Sequence, residues 1–114
     1  MKRPATATVT RFADMFGALG AEPRLRIVRL LLSSHPDGLV VGDIQAETGI
    51  AGSTLSHHLD KLKHDALVTA AREKAFIRYR ANVEALEGLL GFLYAECCTR
   101  NKAVEPRKIA ALAR

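Results

Sequence analysis

The sequence has no tryptophan, few aromatic residues (5%) and only two cysteines among its 114 residues. The two cysteines are adjacent, at Cys97 and Cys98. Neighbouring Cα atoms lie about 3.8 Å apart, whereas the two Cα atoms of a disulfide usually lie about 4.4–6.8 Å apart. A bridge within the pair would therefore be strained, and there is no other cysteine to pair with. The composition excludes a disulfide-stapled secreted domain.

Long apolar runs are also missing. No run of about 18 apolar residues occurs, which is the length that a membrane-spanning helix needs. No apolar segment follows the charged residues Met1–Pro4, as it would in a secretory signal. We therefore expect a cytoplasmic protein with no membrane partner.

The composition that remains is that of one globular domain. Apolar residues make up 48% of the chain and charged residues 25%, a balance that favours a folded core, and the length suits a single domain over residues 1–114. Seventeen Lys and Arg outweigh 12 Asp and Glu, a net charge of +5. Residues 53–80 carry six of these cations against three acidic residues. This balance points to an anionic partner, most simply nucleic acid, facing residues 53–80.

Apolar periodicity predicts helices at both ends of the domain. Residues 8–20 and 83–98 each carry one apolar stripe at helical spacing. Between them, residues 23–32 are apolar almost all round, which predicts a buried central helix that starts at Pro23. The stripes of the two end helices exceed what one small core needs, so we expect these helices to form a homodimer interface.

The middle of the chain predicts a DNA-binding motif. A short helix ending at Gly49 and a longer polar-faced helix follow each other over residues 42–65, as in a helix-turn-helix. Residues 67–80 contain two β-type runs around a polar tip, which predicts a two-stranded wing. The fold class predicted is mainly α (α+β), a winged helix-turn-helix of about five helices. The basic tail over residues 101–114 is expected to be flexible.

The longer helix of the motif has two distinct faces. Leu55, Leu59 and Leu62 recur at i, i+4 and i+7 and predict an inward face. The opposite face is polar, and short polar side chains on such a helix can reach base edges in the major groove. A solvated surface is the plain alternative, but the basic wing beside it favours DNA. The predicted contacts are Ser53, Thr54, Ser56 and His57 with bases, and Lys61, Lys63, Arg72, Lys74 and Arg78 with phosphates.

Two segments carry a family resemblance. Residues 16–27 (FGALGAEPRLRI) and 53–62 (STLSHHLDKL) resemble the ArsR/SmtB family of bacterial metalloregulatory repressors, and the likeness covers residues 10–98. It implies a homodimer that binds an inverted-repeat operator in double-stranded DNA and is released by an inducer. The chain departs from the family pattern at Ala51, where a capping Ser or Thr is frequent, and at Lys74, where the wing commonly has Gly.

The resemblance also limits which inducers the protein can be expected to bind. The family's metal-binding cysteines in the third helix would fall on Val40 and Gly42, which cannot bind metal, and the last helix lacks the His of the zinc-type site. Cys97 and Cys98 remain, and soft thiolates select thiophilic ions. The pair is similar to that of arsenic-responsive members. It implies trivalent arsenic or antimony (arsenite, antimonite or methylarsenite) as the inducer, with Cys97 and Cys98 as ligands and no organic cofactor.

Other interpretations stay open. Cys97 alone also fits a small buried side chain that continues the apolar stripe. The pair can equally serve a thiol-based redox sensor of the same fold, or the regulator can lack a metal ligand altogether. An enzyme is not expected, because Ser56 and His57 are splayed by their adjacency on a helix and no third group orients the ring.

Overall fold

The computed structural model describes residues 5–100 and 106–112, with side chains for residues 5–95 and 107–112. In the described part, six helices and three strands follow in the order α1 (Thr6–Leu19), α2 (Glu22–Ser33), β1 (Leu39–Val40), α3 (Val41–Thr48), α4 (Gly52–His64), β2 (Val68–Glu73), β3 (Phe76–Ala81), α5 (Val83–Arg100) and α6 (Pro106–Leu112). Among these residues, no helix combines the length and the apolar character needed to cross a membrane.

Helix α2 lies at the centre of the domain but is not buried all round. Pro23 stands in its first turn, where a missing N–H costs nothing. Ile27, Val28 and Leu31 are buried, whereas the side chains of Leu25 and Leu32 are 46% and 41% exposed. The prediction of a wholly buried helix is therefore wrong. Among the residues that the structure describes, the other elements cover only one side of α2.

The helix-turn-helix consists of α3 and α4. Helix α3 ends at Gly49, which adopts a left-handed conformation with φ of 71°, a backbone region that glycine enters without steric cost. Leu55, Leu59 and Leu62 are fully buried, as their spacing predicts. They fix which side of α4 faces the core, and thereby which side faces solvent.

The wing is a three-stranded antiparallel sheet in the order β1-β3-β2. The sequence predicts only two strands and misses β1, because a strand of two residues shows no periodicity. Strand β1 pairs with β3, Leu39 with Tyr79 and Val40 with Arg78. Gly38 precedes β1 with φ of 73°, and a Cβ there would lie 2.2 Å from the carbonyl oxygen of Tyr79. Glycine is therefore required where the chain passes closely under β3.

One hydrophobic core joins the helices to the sheet. Its buried members come from α1, α2, α3, α4, the segment into β2, β3 and α5: Met15, Ala18, Ile27, Val28, Leu31, Ile44, Leu55, Leu59, Leu62, Leu67, Val68, Tyr79, Ala81, Ala85 and Leu89. In α5, Ala85 and Leu89 face the core. The apolar stripe that the spacing predicts in this helix is Val83, Leu86, Leu90, Leu93 and Cys97, and of these Leu90 and Leu93 are exposed.

The C-terminal tail contains a helix that the sequence does not predict. Residues 106–112 form the short helix α6, and the flexibility of the tail stays a prediction. Residues 101–105 and 113–114 lie outside the described part. Helix α5 continues two residues beyond its predicted end, to Arg100.

Candidate nucleic-acid interface

The outer face of α4 presents the predicted base-contacting residues to solvent. Ser53, Thr54, Ser56 and His57 are all exposed in the first two turns of the helix. They stand opposite the buried leucines, so the packing that builds the core also fixes this polar face outward. Hydroxyl groups and an imidazole ring can donate to and accept from base edges.

The beginning of α4 has no side-chain cap. Ala51 occupies the N-cap position with extended φ and ψ, and no side chain accepts from the N–H groups of the first turn. Those N–H groups point along the helix axis away from its body. In the same place the helix dipole favours a negative group, so the sequence departure at Ala51 leaves donors available to a phosphate oxygen.

Of the two lysines on α4, only one is free of an ion pair among the described residues. Lys61 Nζ lies 3.0 Å from Oδ2 of Asp65, whose side chain is only 7% exposed. Asp65 thus offsets the charge that Lys61 would bring to a phosphate. Lys63 is exposed and has no such acidic neighbour in the part of the chain described.

The tip of the wing carries two more predicted cations. The turn between β2 and β3 contains Lys74, which has a φ of 57°, the left-handed region that strongly favours glycine. Arg72 and Lys74 are both exposed, and Phe76 beside them is 62% exposed. The tip, at the end of the paired strands β2 and β3, therefore presents two cations and the acidic Glu73 to solvent.

Arg78 differs from the other predicted phosphate contacts because its guanidinium already has partners. Its Nε donates to Oε1 of Glu73 over 2.9 Å, and its Nη1 donates to the Gly38 carbonyl over 3.3 Å. Arg80 similarly donates to the Pro36 carbonyl over 3.2 Å. Both arginines tie β3 to the turn before β1. The structure thus assigns Arg78 a bracing contact that its position in the sequence does not reveal.

A contact between α2 and α4 is absent from the sequence-based predictions. Arg24 Nε donates to the Ala18 carbonyl over 2.7 Å, and Arg24 Nη1 lies 3.3 Å from Nδ1 of His58. Burial lowers the pKa of His58 below its ordinary value, and the charges of Arg24 and His57 lower the pKa further. His58 is therefore neutral near pH 7, and its Nδ1 can accept a hydrogen bond from the guanidinium of Arg24. Both residues belong to the two segments that carry the family resemblance. No other feature of the sequence indicates that these two residues are in contact.

The predicted thiol site falls at the end of α5. The backbone of Cys97 and Cys98 is helical, but their side chains lie outside the described part. Among the side chains that are described, no group of three or more His, Cys, Asp and Glu is arranged to hold a metal ion. The thiol pair stays a prediction.

Apolar side chains remain exposed on the two end helices. On α5, Leu90 is 66% and Leu93 54% exposed, and on α1, Val9 is 44% and Phe16 39% exposed. The rings of Phe12 and Phe92 stack across the two helices with centroids 4.6 Å apart. We call the side chains of Val9, Phe16, Leu90 and Leu93 the α1/α5 face, and the two helices that carry them contact each other through this ring pair.

The chain is similar to known DNA-binding regulators. A family model described as a helix-turn-helix domain matches residues 19–69. The transcriptional activator HlyU of Vibrio cholerae is 28% identical over 85 residues, which cover 75% of this chain and 76% of that protein.

Solved structures of other transcriptional regulators are also similar to this chain. The structure of HlyU from Vibrio vulnificus is 32% identical with a TM-score of 0.58, covering 77% of this chain and 92% of that one. A homodimeric winged helix-turn-helix domain from Mycobacterium bovis, described as a possible ArsR-family regulator, is 27% identical with a TM-score of 0.65, covering 88% and 93%.

Helix α4 and the wing, together with these relatives, identify the protein as a winged helix-turn-helix transcriptional regulator. Proteins of this class bind DNA and are not enzymes. Within that class, the chain belongs to the ArsR family.

Proposed function

We propose that this protein is a homodimeric repressor that binds an inverted-repeat operator through α4 and releases it when a thiophilic inducer binds at Cys97 and Cys98. The observation that carries the DNA-binding part is the polar outer face of α4, which the buried leucines on its other side hold toward solvent. In this proposal Ser53, Thr54, Ser56 and His57 contact bases. Lys63, Arg72 and Lys74 contact phosphates, and Lys61 and Arg78 join them only when DNA displaces their acidic partners.

The α1/α5 face supports the dimer. Its four large apolar side chains are 39% to 66% exposed in the single chain, and burying them against a second copy would be favourable. A similar regulator from Mycobacterium bovis is described as homodimeric. A two-fold dimer would place two copies of α4 in successive major grooves, about 34–36 Å apart.

Footprinting tests the DNA-binding part of the proposal. The DNA is the promoter region upstream of the gene for this protein, and the protein is the full chain. We expect a protected inverted repeat with half-sites about one helical turn apart. Protection with no symmetry, or equal protection along the whole fragment, would contradict it.

The vicinal thiols support the sensing part. Two adjacent sulfurs at the end of a helix can turn toward one thiophilic atom, because the last turn relaxes easily. A methylated trivalent arsenical needs only two sulfur ligands, which suits a pair with no third cysteine in the sequence. Arsenite and antimonite would need a third ligand from solution.

A redox sensor is the second candidate for the same thiols. One solved relative, 30% identical to this chain, is described as the reduced form of HlyU, which favours including an oxidant in the test. The direction of regulation also needs a direct measurement, since HlyU of Vibrio cholerae is named an activator. A promoter fused to a reporter, with and without the regulator, distinguishes repression from activation.

One double variant tests the sensing part. We expect the double substitution of Cys97 and Cys98 by Ser to leave operator binding intact and to abolish release by methylarsenite. Allosteric couplings of this kind change affinity by about 5- to 150-fold. Release of the double variant by the arsenical would show that the ligand binds elsewhere. Release of the wild type by an oxidant alone would assign the thiols to redox sensing.

A further inference from the structure

We propose that Arg24 and His58 together position the recognition helix α4 on the dimerisation helix α1, so that the neutral imidazole of His58 is required for full operator affinity. This role rests on the proposed DNA-binding function. It concerns Arg24 and His58, which do not contact DNA in the function proposed above. The geometry that carries it is one guanidinium shared between two helices.

Arg24 binds both sides of the junction. Its Nε donates to the Ala18 carbonyl, one residue before the end of α1, over 2.7 Å. Its Nη1 lies 3.3 Å from His58 Nδ1 on α4. Both contacts are partly buried: the first joins the consecutive helices α1 and α2, and the second joins α2 to α4, 34 residues further along the chain. A planar guanidinium offers its donors in fixed directions, so the two contacts set the position of α4 relative to the end of α1.

The location of His58 on α4 makes this contact matter for DNA. His58 lies between the exposed His57 and the buried Leu59, on the border between the DNA-facing side and the core. The leucines alone would tolerate a small rotation of α4 about its axis, because apolar contacts are not directional. The Arg24 contact is directional. Losing it lets the outer face, including His57, turn away from the base edges.

The other end of the junction is held as well. Helix α1 is fixed to α5 by the stacked rings of Phe12 and Phe92. The α1/α5 face is the one that we assign to the dimer, so Arg24 connects the surface that sets the spacing of the two subunits with the helix that reads the DNA.

The contact requires a particular protonation state. Arg24 can only donate, so His58 Nδ1 must accept and cannot carry a proton. The charged groups that face His58 are Arg24 from α2 and His57 from its own helix, while α1 contributes the Ala18 carbonyl that holds Arg24. Protonation of His58 would remove the acceptor and place a cation against a cation.

The experiment measures operator affinity of the full chain by fluorescence anisotropy at about pH 8 and at a lower pH, chosen below the His58 pKa that NMR gives for the folded protein, because that pKa lies below the ordinary imidazole value of about 6.5. The variants are His58→Asn, whose amide oxygen occupies the place of Nδ1 and is not protonated, and His58→Leu, which has no acceptor. His64→Asn is the matched control, because His64 lies on the same helix outside the Arg24 contact. Each affinity is compared with that of the wild type at the same pH, which removes the effect of protonating His57.

We expect His58→Asn to match the wild type at about pH 8 and His58→Leu to bind about three- to tenfold more weakly, as for the loss of one partly buried hydrogen bond. At the lower pH, where His58 is protonated, the wild type and His64→Asn should lose affinity relative to His58→Asn by a similar factor. Equal affinities of all four proteins at both values of pH would overturn the proposal. So would a loss in His58→Leu that His58→Asn shares, which would indicate a packing role.

A second measurement separates this proposal from the function on which it rests. The pKa of His58 in the free protein, followed by NMR, should rise toward its ordinary value when Arg24 is replaced by Gln. An unchanged pKa would overturn the contact without reference to DNA. If the wild type binds no promoter DNA at either pH, the proposed function fails and the positioning role fails with it, whatever the NMR titration shows.

Discussion

Gly38 is the residue at which the fold tolerates a side chain least. A Cβ there would meet the Tyr79 carbonyl at 2.2 Å and the Arg80 side chain at 2.6 Å, and its φ is positive. We expect Gly38→Ala to destabilise the protein by about 3 kcal/mol or more in urea unfolding, because strain and collision add. Gly49→Ala is the matched control, with a φ of 71° but open space around it. It should lose only about 1 kcal/mol, and equal losses would contradict the close approach at Gly38.

His58 gives the stability of the free protein a pH dependence. The pKa of His58 is lower in the folded chain than its ordinary value of about 6.5. Its contribution is therefore fully present above about pH 6.5 and is lost as the pH falls toward the lower, folded value. We expect the urea midpoint of the wild type to fall more steeply on acidification than that of His58→Asn. Parallel curves would show that His58 titrates alike in the folded and unfolded chains.

Among the elements, the wing has at its tip a residue, Lys74, whose backbone conformation is unfavourable and whose charge is assigned to DNA binding. Lys74 has a φ of 57° at the turn, which disfavours any residue with a Cβ by about 1–2 kcal/mol. We expect Lys74→Gly to stabilise the protein by about 1 kcal/mol and to weaken DNA binding, with a shallower salt dependence. Lys74→Ala, which removes the charge and keeps the Cβ, should weaken binding equally without the gain in stability. Unchanged DNA affinity in both variants would remove the wing tip from the interface.

The elements also show what sequence alone can predict. The spacing of Leu55, Leu59 and Leu62 is sufficient to orient α4, because a helix has a fixed period and its burial follows from that period. The strand β1 is not predictable in the same way, since two residues carry no periodicity and the pairing partner Tyr79 lies far along the chain. The same holds for Arg78, whose contacts with Glu73 and Gly38 depend on the register of the sheet.

At the scale of the molecule, sequence patterns identify apolar stripes but not the surface each stripe contacts. The predicted stripe on α5 divides between the half-buried Leu86 and the exposed Leu90 and Leu93. Helix α2 exposes Leu25 and Leu32, although its sequence is apolar almost all round. Which residues turn inward depends on the neighbours available in three dimensions. The resemblance to a dimeric family therefore adds information that periodicity lacks.

The dimer assignment can be tested on these same leucines. We expect Leu93→Glu to produce a monomer in analytical ultracentrifugation, because a carboxylate buried in an apolar interface is costly, and to lose affinity for the inverted repeat. Leu32→Glu on α2 is the control: its side chain is 41% exposed but lies outside the α1/α5 face, and this variant should stay dimeric. A monomer from Leu32→Glu and a dimer from Leu93→Glu would move the interface to α2.

The central claim is that the outer face of α4 reads DNA sequence. Its most direct test compares the affinity for the footprinted operator with that for a scrambled duplex of equal length and composition, at one salt concentration, in the wild type, His57→Ala and Lys63→Ala. We predict that His57→Ala loses about tenfold in affinity for the operator and little for the scrambled DNA, whereas Lys63→Ala weakens binding to both alike. Equal losses on both duplexes for His57→Ala would contradict base recognition by this face of α4.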